Sequence, residues 1–163
     1  EQSKEQLKDM LEKVRTDVRF ISHELMPPQF QRVTLKDVLE DYVSRILEAQ
    51  SADWDVETSA DGRTWESVPE ECSYEVYRIL QELLSNVVKH AEAKWIGVRL
   101  LLSEHGLTLR IVYRGKPGPS DNVPREGIGL TTVSERARAI NAEFKVETSD
   151  GEQRMALIVP LPD

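Results

Sequence analysis

The sequence predicts an α+β protein in two parts: a helical hairpin that pairs into a dimeric four-helix bundle, then an α/β sandwich with a largely antiparallel sheet. Three observations carry this. Leu7, Leu11, Val14, Val18, Ile21 and Leu25 are spaced four, three, four, three, four, an a/d seam over nearly three heptads. Val76, Tyr77, Leu80, Leu83, Leu84, Val87 and Val88 recur at three and four, the period of one amphipathic helix. Two pairs of alternating apolar and polar runs, Trp95 to Leu102 with Leu107 to Tyr113, and Glu143 to Thr148 with Arg154 to Leu161, read as β-hairpins.

Composition bounds the chemistry. In 163 residues, 39% hydrophobic content suffices for a packed core, and a formal net charge of −8 argues against a surface built for nucleic acid or anionic lipid. A protein partner or a small ligand is expected instead. The lone cysteine, Cys72, excludes an internal disulfide framework and suits a reducing compartment. No apolar run nears 18 residues, so no membrane contact is expected of this stretch, although it could belong to a longer, membrane-anchored chain.

Taken in order, the first helix stops at Pro27-Pro28, since proline lacks the amide donor and clashes with the preceding turn. His23 falls at heptad position f, on the outside of the expected bundle; on spacing alone it is a surface histidine. A second helix is predicted from about Thr34, as N-cap, to about Gln50, with Leu35, Val38, Leu39, Tyr42, Val43, Ile46 and Leu47 making a broad apolar face. Two such helices leave too much apolar surface to stand alone, hence the predicted hairpin and homodimer. We place this first domain at 1–51 and the second at 52–163. Between Ser51 and Cys72, Trp54 to Thr58 and Thr64 to Val68 read as short strands around an Asp61-Gly62 turn.

The central helix carries a polar stripe opposite its apolar face: Arg78, Glu82, Asn86, and Lys89 or His90 follow at steps of three or four. Such a stripe can be a solvated face with ordinary ion pairs. It can also be a magnesium and phosphate site, because Glu82 and Asn86 offer the hard oxygens that Mg²⁺ takes and Lys89 a point charge for phosphate. After the first hairpin comes Arg114 to Glu126, thirteen residues without periodicity and with three prolines. It leads to Gly127-Ile128-Gly129-Leu130, opening a helix on Leu130, Val133, Ala137 and Ile140. Glycines before a helix let the backbone approach an anion, which the free amides then hold. In the last hairpin, Phe144 and Val146 are read on one face and Met155, Leu157, Val159 and Leu161 on another, around Asp150-Gly151.

Three of these stretches together resemble the core of bacterial sensor histidine kinases, in the subfamily that partners NarL-type response regulators. Ile21-Ser22-His23-Glu24-Leu25-Met26-Pro27-Pro28 resembles the H box, Tyr77 to Ala91 the N box, and Gly127-Ile128-Gly129-Leu130-Thr131-Thr132-Val133-Ser134-Glu135-Arg136-Ala137 the G2 box, in the family's order. The resemblance implies a mixed sheet with helices on one face, binding ATP and Mg²⁺. It implies that His23 takes the γ-phosphoryl group, that Glu24 orients the ring and accepts its proton, and that Glu82 and Asn86 hold or organise Mg²⁺. It also places Lys89, His90, Gly127, Gly129, Leu130 and Thr131 near the nucleotide, with Arg114 to Glu126 as the ATP lid. The implied partner is a response-regulator receiver domain, and the implied location is cytoplasmic. One box departs: the family's G1 Asp-x-Gly-x-Gly falls on Tyr113-Arg114-Gly115-Lys116-Pro117, so Tyr113 replaces the aspartate that reads the adenine amine and Pro117 the second glycine. The phosphatase glutamine is also out of place, since Pro28 stands where it belongs and Gln29 follows one residue late. The alternative is therefore a degenerate core with weak or no ATP binding that serves as a dimeric interaction or phosphoacceptor module.

Overall fold

The computed structural model describes residues 4, 6–8, 28–116 and 128–162. His23, Glu24, Gly127, the heptad seam beyond residue 8 and most of the expected lid lie outside them. Of Gly129, Leu130 and Thr131 only the helical backbone is described. Three helices, α1 (Leu35–Glu48), α2 (Glu70–His90) and α3 (Ile128–Ala139), pack with a sheet of five strands: β1 (Asp53–Ala60), β2 (Trp95–Leu102), β3 (Gly106–Arg114), β4 (Glu143–Ser149) and β5 (Glu152–Pro160).

The strand order is β1-β2-β3-β5-β4; β1 and β2 are parallel and every other pair is antiparallel. The parallel step requires a crossover, which α2 provides. Both predicted hairpins form close to their expected bounds, and Asp150 and Gly151 turn the second with positive φ at both positions. The register pairs Phe144 with Leu157 and Val146 with Met155, so the two apolar sets expected on different faces share one. The predicted strand over Thr64 to Val68 is instead a 3-10 turn at Trp65–Ser67. There Thr64 accepts through its carbonyl from both the Ser67 amide, at 3.0 Å, and the Ser67 hydroxyl, at 2.7 Å, which curls the chain into Pro69 and α2.

The second helix forms where expected, with the Thr34 hydroxyl capping the Asp37 amide at 3.3 Å. Its expected partner is corrected. Leu35, Leu39, Tyr42, Val43 and Leu47 are buried in the same hydrophobic cluster as α2 and the sheet, and Tyr42 meets Tyr77 of α2 edge to face at 5.6 Å. Only residues 49–52 separate α1 from β1, so the helix folds back onto its own strand rather than presenting its face to a hairpin. A boundary after residue 51 would cut through one core, and the described residues show no two-helix hairpin.

Helix-facing positions on the strands are buried from Val98 and Leu100 through Leu107, Leu109, Ile111 and Tyr113 to Met155, Leu157 and Val159. The opposite sheet face is polar. Arg99 there forks onto the Asp55 carboxylate at 2.9 and 3.1 Å, and these hydrogen bonds raise its guanidinium above its usual range. Among the described residues no helix is long and apolar enough to cross a membrane.

Candidate functional site

The register fixes which end of the molecule gathers the polar residues. Asp53, Trp95, Arg114, Glu152 and Ser149 form one row across the sheet, and Ser59, Leu101, Thr108, Ile158 and Glu143 another toward its far end. Helix α2 enters β2 at Trp95, so its C-terminus lies at the first end; α3 enters β4 at Glu143, so its C-terminus lies at the far end. The two helices therefore run antiparallel. The start of α3, the last turns of α2 and the end of β3 converge on one end of the sheet.

Helix α2 forms because its apolar residues make one wide buried face, from Val76 through Val87, with Glu70 and Glu71 in its first turn where the helix dipole favours anions. The remaining face carries Glu75, Arg78, Glu82, Asn86 and Lys89 in one line. Glu82 and Asn86 are half-buried one turn apart, and neither side chain has a hydrogen-bond or ion-pair partner among the described residues. Lys89 and His90 are exposed in the last turn, flanking them. Arg78 does not serve the stripe: its guanidinium donates to Gln81 Oε1 at 3.0 Å.

Helix α3 is pinned against this stripe by Arg136, which pairs with Glu75 at 3.1 Å and lies over the Tyr74 ring at 6.0 Å. Gly129 and Glu82 are each seven residues from that pair toward the same end, about 10 Å at a rise of 1.5 Å per residue. The antiparallel arrangement thus sets the first turn of α3 level with Glu82.

The third side is the end of β3. A Cβ on Gly115 would stand 2.5 Å from the Ala91 carbonyl oxygen, so only glycine lets the strand pass the end of α2 this closely. Hydrogen bonds hold the approach: the Lys116 amide donates to Ala91 at 2.7 Å and the Lys94 amide to Arg114 at 2.8 Å. Lys116 Nζ also meets Glu92 at 3.0 Å, where Glu92 turns the chain with a φ of 48°. Tyr113, in place of the expected carboxylate, is 2% exposed on the helix-facing side, opposite Ile96 and Gln153 in register. Next to it, the Thr148 hydroxyl donates to the buried Gln153 Oε1 at 2.6 Å.

The structure thus brings Glu82, Asn86, Lys89, His90, Tyr113 and Gly115 to the end where α3 begins. His23, Glu24 and Gly127 lie outside the described residues. The sequence reading missed the Gly115 contact and the Glu75–Arg136 pair. Glu75 could have been found, because it continues the Arg78 and Glu82 stripe one step back; Arg136 could not, because only the antiparallel packing of α3 puts it there. The donor set fits a magnesium ion shared with phosphate. One carboxylate and one amide oxygen stand uncommitted one turn apart, and no cluster of three or more His, Cys, Asp or Glu among the described residues offers an all-protein cage.

Comparison with known proteins bears on the family and the fold. Among curated proteins, the chain is 27% identical over 145 residues to the sensor histidine kinase LiaS of Bacillus subtilis (strain 168), covering 88% of this chain and 38% of that protein. It is 24% identical over 159 residues to the oxygen sensor histidine kinase NreB of Staphylococcus carnosus (strain TM300), covering 96% and 45%. The chain therefore spans less than half the length of these relatives. Among solved structures, the fold superposes on the Erythrobacter litoralis EL346 blue-light activated histidine kinase with a TM-score of 0.67 at 21% identity, covering 79% of this chain and 42% of that one. It also superposes on the Acinetobacter baumannii histidine kinase AdeS, with a TM-score of 0.64 at 14% identity, covering 98% and 80%. Residues 73–163, more than half of the chain, match the model of the histidine kinase-, DNA gyrase B- and HSP90-like ATPases, and the chain belongs to that family.

Proposed function

We propose that this chain is the ATP-binding catalytic part of a bacterial sensor histidine kinase, supporting transfer of the ATP γ-phosphoryl group to a histidine and onward to an aspartate of a response-regulator receiver domain. The observation that carries the nucleotide reading is the uncommitted Glu82 and Asn86 pair on the α2 stripe, with Glu82 level with the first turn of α3 and Asn86 one turn beyond it. Glu82 and Asn86 would hold Mg²⁺, which supplies charge neutralisation between phosphate oxygens during phosphoryl transfer. Lys89 and His90 stand where they can meet phosphate. Gly129, Leu130 and Thr131 lie in the first turn of α3, whose backbone amides favour an anion, and Gly127 precedes it in the sequence. Calorimetric titration of Mg²⁺ with ATP tests this beside Asn86→Ala. Binding at about millimolar dissociation constant or tighter, lost in the variant while the fold stays intact, is expected. Equal binding by both proteins would remove the site from α2.

His23, with Glu24 beside it, is the phosphoacceptor in this reading. A neutral imidazole is nucleophilic near pH 7, and an adjacent carboxylate can take its proton. The burial of α1 bears on this, because it commits the expected second arm of the hairpin to the sheet domain. His23 then acts from the helix preceding that domain, or the acceptor is a histidine outside this chain. Acid-labile phosphate that forms on the wild type and is absent from His23→Gln supports the first; phosphate retained in the variant refutes it. The homodimer rests on the same seam and is checked by light scattering.

A second reading is favoured by Tyr113, a buried phenol at the position expected to hold the adenine-reading carboxylate. In that reading the chain keeps the fold but binds nucleotide too weakly for turnover and acts as an interaction module. No measurable heat with Mg²⁺–ATP at any accessible concentration would decide for it.

A further inference from the structure

Among the described ion pairs, Glu75–Arg136 is the one whose two side chains are both less than a quarter exposed, at 16% and 23%. It joins α2 to α3 through a 3.1 Å contact from the Arg136 guanidinium to Glu75 Oε2, and the guanidinium also covers the Tyr74 ring. Among the described side chains of α3, Val133 and Ala137 are buried. Apolar contacts are non-directional and let a helix slide along its neighbour, whereas a charge-assisted hydrogen bond has a fixed length and direction.

We propose that the Glu75–Arg136 pair is a positioning device that sets how far α3 is advanced along α2, and thereby where the first amides of α3 stand relative to Glu82 and Asn86. The inference rests on the nucleotide reading above and extends it to two residues outside the phosphate end. Sliding α3 by one residue moves its N-terminus by about 1.5 Å. A displacement of about 1 Å at a reacting group can cost as much as a hundredfold in rate, and a displaced backbone amide loses its hydrogen bond to a phosphate oxygen. Arg136 and Glu75 touch no phosphate themselves; they act through the height of the helix.

The test measures Mg²⁺–ATP affinity by calorimetry on the full chain, together with the thermal unfolding midpoint. Glu75→Gln keeps the shape of the side chain and removes its charge. It is expected to weaken Mg²⁺–ATP binding about tenfold, the loss of about one hydrogen bond to a charged group, measured well below its own unfolding midpoint. The charge-swapped Glu75→Arg/Arg136→Glu protein is expected to return to within about threefold of the wild type. A lowered midpoint with unchanged affinity in Glu75→Gln would show a purely structural pair and overturn the proposal, as would a swapped protein no better than the single variant. Should Glu75→Gln fail to fold, Arg136→Lys, which keeps the charge and loses the planar fork, gives the same affinity comparison. A wild-type chain that does not bind Mg²⁺–ATP refutes the nucleotide reading and this inference with it. Wild-type binding with unaltered Glu75→Gln affinity refutes this inference alone.

Discussion

The two ends of the sheet use their polar groups differently. At the far end Arg63 donates to the carbonyl oxygens of Glu104, at 3.0 Å, and Pro162, while the Leu161 amide donates to His105. The turn after β1, the β2–β3 turn and the tail are thereby tied to one another. At the end where α2 finishes, the backbone is held as tightly, through Gly115, Ala91 and Lys94, yet Glu82 and Asn86 have no partner among the described residues. A fold that ties its turns and tail together at one end and leaves the Glu82 and Asn86 oxygens uncommitted on a helix at the other places holding and candidate binding apart. Both ends share the core beneath them.

The largest expected effect erases the difference between the ends. Leu39→Ala empties a fully buried position of α1 and should cost about 2–5 kcal/mol of unfolding free energy in denaturant titration. Were α1 an arm of a dimeric bundle instead, the loss would depend on protein concentration. The next effect concerns the thiol in the opening turn of α2, toward the far end. Burial first, and then the Glu71 carboxylate, push the Cys72 thiol up from 9.0 to about 11. The folded chain therefore prefers the neutral thiol, and its stabilisation is complete below the unfolded thiol pKa and falls as pH rises from about 9 through 11. The expected alkaline loss is about 2–3 kcal/mol, and Cys72→Ala should flatten that limb of the pH–stability profile.

Two glycines then separate the ends directly. A Cβ on Gly106 would meet the Val159 carbonyl oxygen at 2.2 Å, and one on Gly115 the Ala91 oxygen at 2.5 Å. Each alanine variant should lose about 1–3 kcal/mol, but only Gly115→Ala should also weaken Mg²⁺–ATP binding. The smallest effect is Arg63→Met, with a loss of about 1 kcal/mol by thermal unfolding and nucleotide affinity unchanged. Weakened affinity in that variant would blur the distinction between the ends.

Much of this was legible in the residues. Alternation in Trp95 to Leu102 and in Leu107 to Tyr113 located the first hairpin, Asp150-Gly151 fixed the turn of the second, and the three-four spacing from Val76 to Val88 gave α2 and, by subtraction, its stripe. Thr64 to Val68 misled because Trp65 and Val68 lie three apart, the spacing of a helical turn and not of a strand. Tyr113 was recognised as a departure, but its burial against the helix layer follows from its parity with Leu109 and Ile111 in β3.

Periodicity by itself determined which residues of each helix seek burial, because the spacing of side chains around a helix is a local property of the backbone. It could not say what would cover them. The same apolar face of α1 suits a hairpin partner or a sheet, and the choice fell to the short connection into β1 and the edge left open beside it. Likewise the sequence supplied Glu82, Asn86 and the Gly127-Ile128-Gly129 opening as separate features. The strand register makes α2 and α3 antiparallel and brings Glu75 within reach of Arg136, because contacts between residues about sixty apart exist only once the sheet has fixed where each helix begins and ends.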